Sequence, residues 1–510
     1  MATSNTTIAK NTVFLSIRMV FVLIVSLYTS RVFLHALGVV DFGVNNVVGG
    51  FVSMFAFLNT ALSNGIQRFY NAEMSKNGVE GVRKVYNTSL LIQGGIALII
   101  LILLETFGLW YFYNKMVIPA DRMDVAFWIY QIATVSSVMV VMQAPYVGAI
   151  MAYEKMDFYA ICGILDVLLK LGIALAIPHI PFDKLMTFGI LSFGVSVVNF
   201  CLYFSYSKRK FKALKAKRFF EKKLFKDMIS FSGWNFLGTF ACMIREQGLN
   251  MVLNLFFGPV VNAARGVAYQ VSSALQGFVS NLSVAAKPQM VSSYSAGDST
   301  RTMKLMFSMS KLSFFFLLIF AVPVILEVDY ILHLWLGDVV PEHTSNFIIL
   351  VILTNFVNNL NAPLSNVVYA TGKMRNYELT FSIINILILP ISYIALKMGA
   401  APEAAFLVYF IMTIFVQIGC LIVLRTLVHI SLREYFVRLC VPLLAVFVIS
   451  FILPWLIHGI MAEGFLRLVI VTFASLIIST FAFYFLGLAA NEKAMVNNAF
   501  ESIKAKFIKK

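Results

Sequence analysis

One stretch of the chain, residues 262 to 290 (NAARGVAYQVSSALQGFVSNLSVAAKPQM), carries polar side chains at helical spacing within an otherwise strongly apolar sequence. Steps of three or four residues place them on one face of a helix. The members of this polar stripe are Arg265, Tyr269, Ser273, Gln276, Ser280, Ser283 and Lys287. A guanidinium offers a fork of donors that matches phosphate or pyrophosphate. The stripe is therefore a candidate anion-binding surface, and its role depends on what surrounds the helix.

The composition indicates that the surroundings are a lipid bilayer. Hydrophobic residues make up 60% of the 510 residues and charged residues only 13%, outside the range of soluble domains. Crossing about 30 Å of hydrocarbon takes roughly 20 apolar residues. The sequence holds fourteen such windows, and we predict spans one to fourteen at residues 12–35, 41–66, 88–111, 125–151, 158–177, 184–206, 228–256, 260–287, 304–326, 344–370, 378–397, 403–425, 436–457 and 465–488. The predicted fold class is an all-α polytopic membrane protein.

The net charge of +16 could suggest a nucleic-acid partner, but basic residues of membrane proteins chiefly set orientation. With a cytoplasmic N-terminus, 29 of the 40 Lys and Arg residues fall at inward-facing segments. Only six fall at outward-facing ends: Arg31, Lys115, Arg122, Lys184, Lys397 and Arg467. The bias predicts a multi-pass protein with both termini cytoplasmic and no nucleic-acid partner. The first span lacks a small-residue cleavage site, so we expect it to be retained.

An internal repeat relates spans two and eight. Aligning the chain with itself at an offset of 220 residues pairs polar positions with polar positions. Asn45 aligns with Arg265, Ser53 with Ser273 and Gln67 with Lys287. Span two thus has its own stripe, formed by Asp41, Asn45, Gly49, Ser53, Thr60, Ser63 and Gln67. Six spans separate the copies, and an even number predicts a parallel repeat about an axis along the membrane normal.

The repeat predicts two six-helix lobes around a central cavity. The expected organisation is an N-terminal lobe at residues 1–206, a basic cytoplasmic linker at 207–227, a C-terminal lobe at 228–427, spans thirteen and fourteen within 428–488, and a basic cytoplasmic tail at 489–510. A polar face in lipid is costly unless it lines a cavity or meets another helix. Two matching stripes favour a shared cavity.

Four cations lie within the spans that carry or precede the stripes: Arg18, Arg245, Arg265 and Lys287. An Arg at the bilayer centre costs about 2.5 to 3.5 kcal/mol on insertion scales, so each needs a reason. One interpretation is a cationic cavity for a phosphate or pyrophosphate. The alternatives are local pairing, for which Arg245 has Glu246 although adjacent residues do not share a helix face, and snorkelling of Lys287 to the headgroups.

Other polar residues have weaker signals. Asn355 and Asn359 in span ten could face a sugar or bind a neighbouring helix. Asp166 and Lys170, four residues apart with the acid first, predict an intrahelical ion pair. The sequence contains no catalytic motif such as GxSxG, HExxH or a Walker motif. We therefore predict a protein that is not an enzyme and needs no cofactor, with a coupling ion, H⁺ or Na⁺, left open.

Three segments carry a family resemblance: GIQRFYNAEMSKNG at the end of span two, NAARGVAYQV at the start of span eight and KPQMVSSYSAGD at its end. Together with the fourteen-span pattern, they resemble the polysaccharide-export and O-antigen flippase branch of the multidrug, oligosaccharidyl-lipid and polysaccharide exporter superfamily. The resemblance implies a bacterial inner-membrane flippase with two lobes in a V shape. Its substrate would be an undecaprenyl-pyrophosphate-linked oligosaccharide, moved outward by alternating access.

The resemblance also implies site residues and partners. Similar flippases of lipid-linked peptidoglycan precursors have functional Arg residues in their first, second and eighth helices. Arg18 and Arg265 match in kind, whereas span two offers only Arg68 at its cytoplasmic end. The implied partners are the lipid-linked glycan, membrane lipids and other membrane proteins of polysaccharide assembly.

Two other functions fit the sequence less well. A multidrug cation antiporter of the same superfamily would be expected to place carboxylates in its cavity, but the central charges here are mostly positive, with Asp41 and Glu246 as exceptions. A glycan polymerase or glycosyltransferase would be expected to have larger outward loops than the short connections predicted here.

Overall fold

The structure is a computed structural model that describes residues 5–490 except 56, 154, 212, 213, 215–220, 296, 372 and 429, together with 492–494 and 497. The side chains of residues 5–20, 57–65, 230–237 and 280–289, with those of some shorter stretches, lie outside the description. The described residues form helices and no strand. The fold is that of an all-α polytopic membrane protein, as the composition predicts.

Eleven helical segments in the described part of the chain are long and apolar enough to cross a membrane. They are Phe21–Met54, Asn77–Asn114, Ala120–Ala152, Met156–His179, Lys184–Lys210, Ser299–Leu326, Thr344–Thr371, Arg375–Lys397, Glu403–Val428, Leu432–Ile460 and Phe465–Gly487. The predicted spans 41–66, 228–256 and 260–287 are not separate members of this set. Each of the three extends into residues whose side chains lie outside the description, at 57–65, 230–237 and 280–287 respectively. The count of fourteen therefore stays a prediction.

The first compact unit comprises Met1–Val267, Asp338–His343 and Asn385–Ala405. Its helices are α1 (Asn5–Met54), α2 (Phe57–Leu103), α3 (Leu109–Asn114), α4 (Met123–Ala152), α5 (Met156–Ala176), α6 (Lys184–Lys210), α7 (Lys222–Met243), α8 (Leu249–Phe257), the start of α9 (Pro259–Ser295) and the second half of α13 (Arg375–Lys397). Within this unit α4 packs on both α2 and α6, and α1 packs on α5.

The core of the first unit is aromatic. Phe51 on α1 stacks on Tyr111 on α3, with ring centroids 5.0 Å apart. The hydroxyl of Tyr130 on α4 donates to the backbone oxygen of Leu104 at 2.7 Å, at the start of a short π-helix. A Cβ on Gly108 would lie 2.1 Å from this hydroxyl, so glycine is required for the hydrogen bond to form. These contacts tie α1, α3 and α4 together.

Two glycines 220 residues apart connect long helices with the same backbone geometry. Gly38, inside α1, has φ 78° and ψ 168°, and Gly258, between α8 and α9, has φ 73° and ψ −170°. Positive φ is accessible to glycine without the steric cost that a side chain brings. The match supports the parallel repeat, which stays a prediction.

The second compact unit comprises Ala268–Gly337, Thr344–Ile384 and Phe406–Lys510. It contains the rest of α9 and the first part of α13, most of α14 (Glu403–Val428), and α10 (Ser299–Leu326), α11 (Val328–Leu336), α12 (Thr344–Thr371), α15 (Leu432–Tyr435), α16 (Val441–Ile460) and α17 (Phe465–Ala482). Here α10 packs on α12, α16 and α17. This division follows packing and does not test the predicted lobes at 1–206 and 228–427.

The predicted ion pair on α5 is confirmed. Lys170 Nζ lies 2.8 Å from Asp166 Oδ2. The other carboxylate oxygen accepts a hydrogen bond from Asn199 Nδ2 at 2.7 Å, which links α5 to α6. Since both oxygens are engaged by neighbouring helix residues, the pair serves packing within the first unit.

Candidate functional site

A π-helix between α7 and α8, Ile244–Gly248, positions the first of the predicted cations. Arg245 is buried, with 8% of its surface exposed. Its Nη1 donates to Asn385 Oδ1 at 2.7 Å, and its Nη2 donates to Glu246 Oε1 at 3.0 Å. π-helical turns occur frequently at functional sites.

The pairing of Arg245 with Glu246 corrects the expectation that adjacent residues on a helix do not meet. In a π-helix the hydrogen bond spans one more residue than in an α-helix, so successive residues turn less about the axis. The long side chains of neighbours can then fold toward each other. Asn385, on α13, is 1% exposed and was not among the predicted residues, because nothing local in the sequence connects it to α7.

Arg265, near the start of α9, reaches the same glutamate from another helix. It is 7% exposed, and its Nη2 donates to the backbone oxygen of Glu246 at 2.6 Å. Two buried guanidinium groups therefore converge on one residue with a single carboxylate. The Glu246 side chain is 41% exposed, so the acid is far more accessible than either cation. We call Arg245 and Arg265 on Glu246 the arginine pair, and it is a candidate site for an anion.

An asparagine network supports the arginine pair and was missed in the sequence. Asn262 on α9 donates to the backbone oxygen of Asn250 at 2.8 Å and to its side-chain oxygen at 2.7 Å. Asn254 donates to Asn262 at 3.1 Å and exchanges two hydrogen bonds with the backbone of Val117, at 2.8 and 3.0 Å. The signal was the spacing of four between Asn250 and Asn254 in an apolar stretch, which puts both on one face of α8.

Helix α1 approaches the network closely at glycines. A Cβ on Gly43 would lie 1.9 Å from the backbone oxygen of Pro259, and one on Gly266 would lie 2.9 Å from the Asn46 side chain. Asn250 Nδ2 donates to the backbone oxygen of Asn46 at 3.2 Å. The half-buried Asn45 was the predicted stripe residue on α1, but its neighbour Asn46 makes these contacts.

The predicted stripe on α9 extends over both units. Arg265 belongs to the first unit, and Tyr269, Ser273 and the half-buried Gln276 belong to the second. The exposed Ser273 donates to the backbone oxygen of Tyr269 at 2.8 Å. On α1, Ser53 likewise donates to the backbone of its own helix, at Gly50, at 2.8 Å. Such a bond uses the hydrogen of the serine hydroxyl within its own helix, and the hydroxyl oxygen can still accept a hydrogen bond.

Three of the predicted site residues, Arg18, Gln67 and Lys287, have side chains outside the described residues. Their backbones lie on α1, α2 and α9. Their predicted role in binding stays a prediction, as does the central cavity.

The two asparagines predicted to face a sugar lie buried in the second unit. Asn355 Nδ2 donates to Ser272 Oγ at 2.8 Å, which joins α12 to α9. Asn359, one turn further along α12, is 7% exposed. The sequence left open whether Asn355 faces a sugar or binds a neighbouring helix, and this hydrogen bond is a contact with a neighbouring helix.

The acid of the span-two stripe is held by a cation of the first unit. Arg122 donates from Nε to Asp41 Oδ1 at 2.7 Å and from Nη1 to Asp183 Oδ2 at 2.7 Å. Burial raises the pKa of Asp183, but hydrogen bonds from the Met186 N–H and from Arg122 outweigh it and keep this pKa below its usual range. Both carboxylates that the sequence placed in or near the site, Asp41 and Glu246, are therefore paired with arginine.

The fold is similar to that of solved membrane transporters. The lipid II flippase MurJ in an inward closed conformation has a TM-score of 0.71 over 92% of this chain and 97% of that chain, at 14% identity. An inward-facing multidrug resistance MATE family transporter of the MOP superfamily has a TM-score of 0.65 over 82% of this chain and 98% of that chain, at 14% identity. An outward-facing transporter of that family gives 0.59 over 82% and 96%, at 16% identity. Identities this low establish the fold alone.

Sequence comparison adds the family. No curated protein sequence matches the chain. A family model described as polysaccharide biosynthesis protein matches residues 8–294, more than half of the chain. The match covers α1 to α8 and nearly all of α9, including the arginine pair. The chain therefore belongs to the polysaccharide biosynthesis protein family.

Proposed function

We propose that this protein is a flippase that moves an undecaprenyl-pyrophosphate-linked oligosaccharide, such as an O-antigen unit, outward across the bacterial inner membrane by alternating access. The family membership and the fold shared with a lipid II flippase support a transporter of lipid-linked glycans. Both termini would be cytoplasmic, as the cation distribution predicts.

The observation that carries the proposal is the convergence of two buried guanidinium groups in the arginine pair. Burying a guanidinium in a membrane protein is costly, so two of them at one place need a reason. Arg245 contacts the partly exposed Glu246 carboxylate, and Arg265 contacts the backbone oxygen of the same residue. A pyrophosphate supplies charge and acceptor oxygens for both guanidinium groups. Arg18 and Lys287 would serve other stages of transport; Lys287 is 22 residues from Arg265, or about 33 Å along a helix.

A multidrug cation antiporter is the second candidate, because MATE transporters share the fold. Such a protein would be expected to use a free carboxylate to attract its cationic substrate. Asp41 is bound by Arg122, and Glu246 is bound by Arg245. These pairings favour the flippase over the antiporter.

A proteoliposome assay tests the proposal. The purified protein is reconstituted with a fluorescent undecaprenyl-pyrophosphate oligosaccharide, and the lipid that reaches the opposite leaflet is quenched by a membrane-impermeant reductant. Losing a charged hydrogen-bond partner costs about 1.5 to 3 kcal/mol, or roughly ten- to a hundredfold in binding. Arg265→Gln and Arg245→Gln should therefore slow flipping by at least about tenfold.

Matched controls separate binding from folding. Lys217→Gln removes one cation of the basic linker and should flip at the wild-type rate. Arg265→Lys keeps the charge and should retain part of the activity. If both Gln variants flip normally while the protein is monodisperse, the headgroup-binding role is wrong. If the wild-type protein instead moves a lipophilic cation and no glycan lipid, the antiporter is correct.

A further inference from the structure

A cavity of about 360 Å³ lies in the second unit, bounded by α10, the start of α16 and the segment after α17. Lys304, Ser308 and Lys311 line one wall, and their steps of four and three place them on one face of α10. The other walls include residues of two π-helices, Phe436–Cys440 before α16 and Phe483–Gly487 after α17. This volume is within the range of roughly 300 to 1,000 Å³ usual for ligand pockets. We call it the basic cavity.

Three cations line the basic cavity, and its described lining includes one acid, Glu492. Lys311 is buried and its Nζ lies 2.8 Å from Glu492 Oε2, so these two charges are balanced within the protein. Lys304 is exposed. Arg438 contacts Glu434 through Nη1 at 2.6 Å, but 73% and 40% of the two side chains are exposed, and exposed ion pairs are weak. An anion can therefore contact Lys304 and Arg438 without separating the buried pair.

The basic cavity lies at span ends that the sequence predicts to be cytoplasmic. Lys304 and Arg438 are at the beginnings of spans nine and thirteen, and Leu488 is at the end of span fourteen. The structure places these three ends around one cavity. The cytoplasmic leaflet is rich in anionic lipids, which attract Lys and Arg near its surface. In the predicted orientation, the two exposed cations are therefore at the level of the headgroups of that leaflet.

Apolar side chains lead from the basic cavity to the surface that faces the lipid. Phe307, Pro442 and Leu486 line the cavity beside the cations, and Leu486 is exposed. Val441 and Phe485, the chain neighbours of two of these residues, are also exposed. An acyl chain can lie along this surface while its headgroup contacts the cations. Basic pockets between membrane helices at the cytoplasmic side are the arrangement that binds anionic lipid headgroups.

We infer that the basic cavity binds the headgroup of an anionic phospholipid of the cytoplasmic leaflet. Lys304 and Arg438 donate charge-assisted hydrogen bonds to its phosphate. The buried Lys311–Glu492 pair stays intact, and an acyl chain lies along the exposed apolar residues beside the cavity. The site goes beyond the proposed function, because it does not require that the protein be a flippase. A polyprenyl pyrophosphate has similar chemistry, so the test includes it.

Native mass spectrometry of the full-length protein tests the inference. The protein is titrated in detergent with phosphatidylglycerol, with zwitterionic phosphatidylcholine and with undecaprenyl pyrophosphate. The double variant Lys304→Gln/Arg438→Gln should weaken binding of the first phosphatidylglycerol by roughly ten- to a hundredfold. The control Lys373→Gln/Arg375→Gln removes one exposed Lys and one exposed Arg that are also predicted to be cytoplasmic but do not line the cavity, and it should bind like the wild type.

The three lipids separate the possible outcomes. Unchanged phosphatidylglycerol binding in the double variant overturns the inference. A loss confined to undecaprenyl pyrophosphate also overturns it, because the cavity would then serve the exported lipid. Wild-type protein that binds phosphatidylcholine as tightly as phosphatidylglycerol overturns it as well, since the net charge of the lipid would then not matter.

Two further variants separate charge from folding. Lys304→Arg/Arg438→Lys keeps both charges and should retain most of the affinity; a loss as large as in the Gln variant contradicts the inference. Lys304→Gln alone breaks no ion pair with a residue that the structure describes, so it should leave the melting temperature in detergent unchanged. It should still weaken phosphatidylglycerol binding several-fold, and wild-type affinity in this folded variant would exclude Lys304 from the site.

Discussion

The two units each place an arginine beside a glutamate, but the exposure of the glutamate differs. In the second unit the Glu327 side chain is fully buried and accepts hydrogen bonds from Arg467 Nε at 3.1 Å and Nη2 at 2.8 Å. His458 Nε2 lies 3.9 Å from its other oxygen. In the first unit Arg245 and Arg265 share Glu246, whose side chain is 41% exposed.

This difference separates an ion pair that serves packing from one that can serve binding. One carboxylate for one guanidinium satisfies the charges within the protein, so the pair can be buried completely. At Glu246 two guanidinium groups meet a residue whose carboxylate is partly exposed, so a ligand can reach them. A buried arginine in a membrane helix is therefore not by itself evidence of a substrate site; the exposure of its carboxylate partner decides.

The largest expected effect is on stability, in the second unit. Arg467→Gln leaves the Glu327 carboxylate buried without its main partner, and breaking such a pair typically costs about 3 to 5 kcal/mol. The melting temperature of the purified protein in detergent should fall sharply. In the double variant Glu327→Met/Arg467→Met no buried charge is left uncompensated, so much of the loss should be recovered. A single variant that melts like the wild type would contradict a structural role for the pair.

Next in size is the close packing that supports the arginine pair. Gly43→Ala places a methyl group where the backbone oxygen of Pro259 lies, 1.9 Å away, and overpacking costs about 1 to 3 kcal/mol. Gly49→Ala, on the same helix, meets nothing within 4 Å and is the matched control. We expect Gly43→Ala to lower both the melting temperature and the flipping rate, and Gly49→Ala to leave both unchanged or slightly raise stability. If the two variants had the same melting temperature and flipping rate, the close contact between Gly43 and Pro259 would not be needed.

A smaller effect, on anion binding, should distinguish the arginine pair from the Glu327–Arg467 pair. Glu246→Gln removes the carboxylate that Arg245 contacts but keeps the backbone oxygen that Arg265 binds. Because the side chain is partly exposed, we expect about 1 kcal/mol, or roughly fivefold tighter binding of inorganic pyrophosphate by calorimetry. Weaker binding in this variant would show that Glu246 positions the arginines rather than competing with the ligand.

The smallest effect concerns the pH dependence of stability and the ion pair between Lys311 and Glu492 in the second unit. Glu492 is half-buried, which raises its pKa, but hydrogen bonds from Lys311, Ser308 and the Ala489 N–H together hold the pKa below its usual value. Because the pKa of Glu492 is lower in the folded than in the unfolded protein, its carboxylate stabilises the fold at pH values above the unfolded pKa. This stabilisation is lost as the pH falls through the folded pKa. The melting temperature should therefore drop below about pH 4.5, and Glu492→Gln should flatten that part of the profile. An unchanged profile would separate Glu492 from acid stability.

The sequence alone predicted the features that depend on local periodicity. Helices, membrane spans and the stripe through Arg265 follow from hydropathy and from steps of three or four residues, and the Asp166–Lys170 pair follows from a spacing of four. The positive φ angles at Gly38 and Gly258 were not predicted, although the offset of 220 residues aligns these two glycines, and the repeat stays a prediction.

The tertiary structure decided which of those residues meet. Arg245 and Arg265 lie on different helices, and they reach one glutamate because α9 lies against the π-helix after α7. Asn46 rather than Asn45 makes the contact because α1 approaches α9 at Gly266, where an added Cβ would lie 2.9 Å from the Asn46 side chain. The phase of a helix predicts its polar face, but the partner of each residue on that face depends on how helices pack, which is a property of the whole fold.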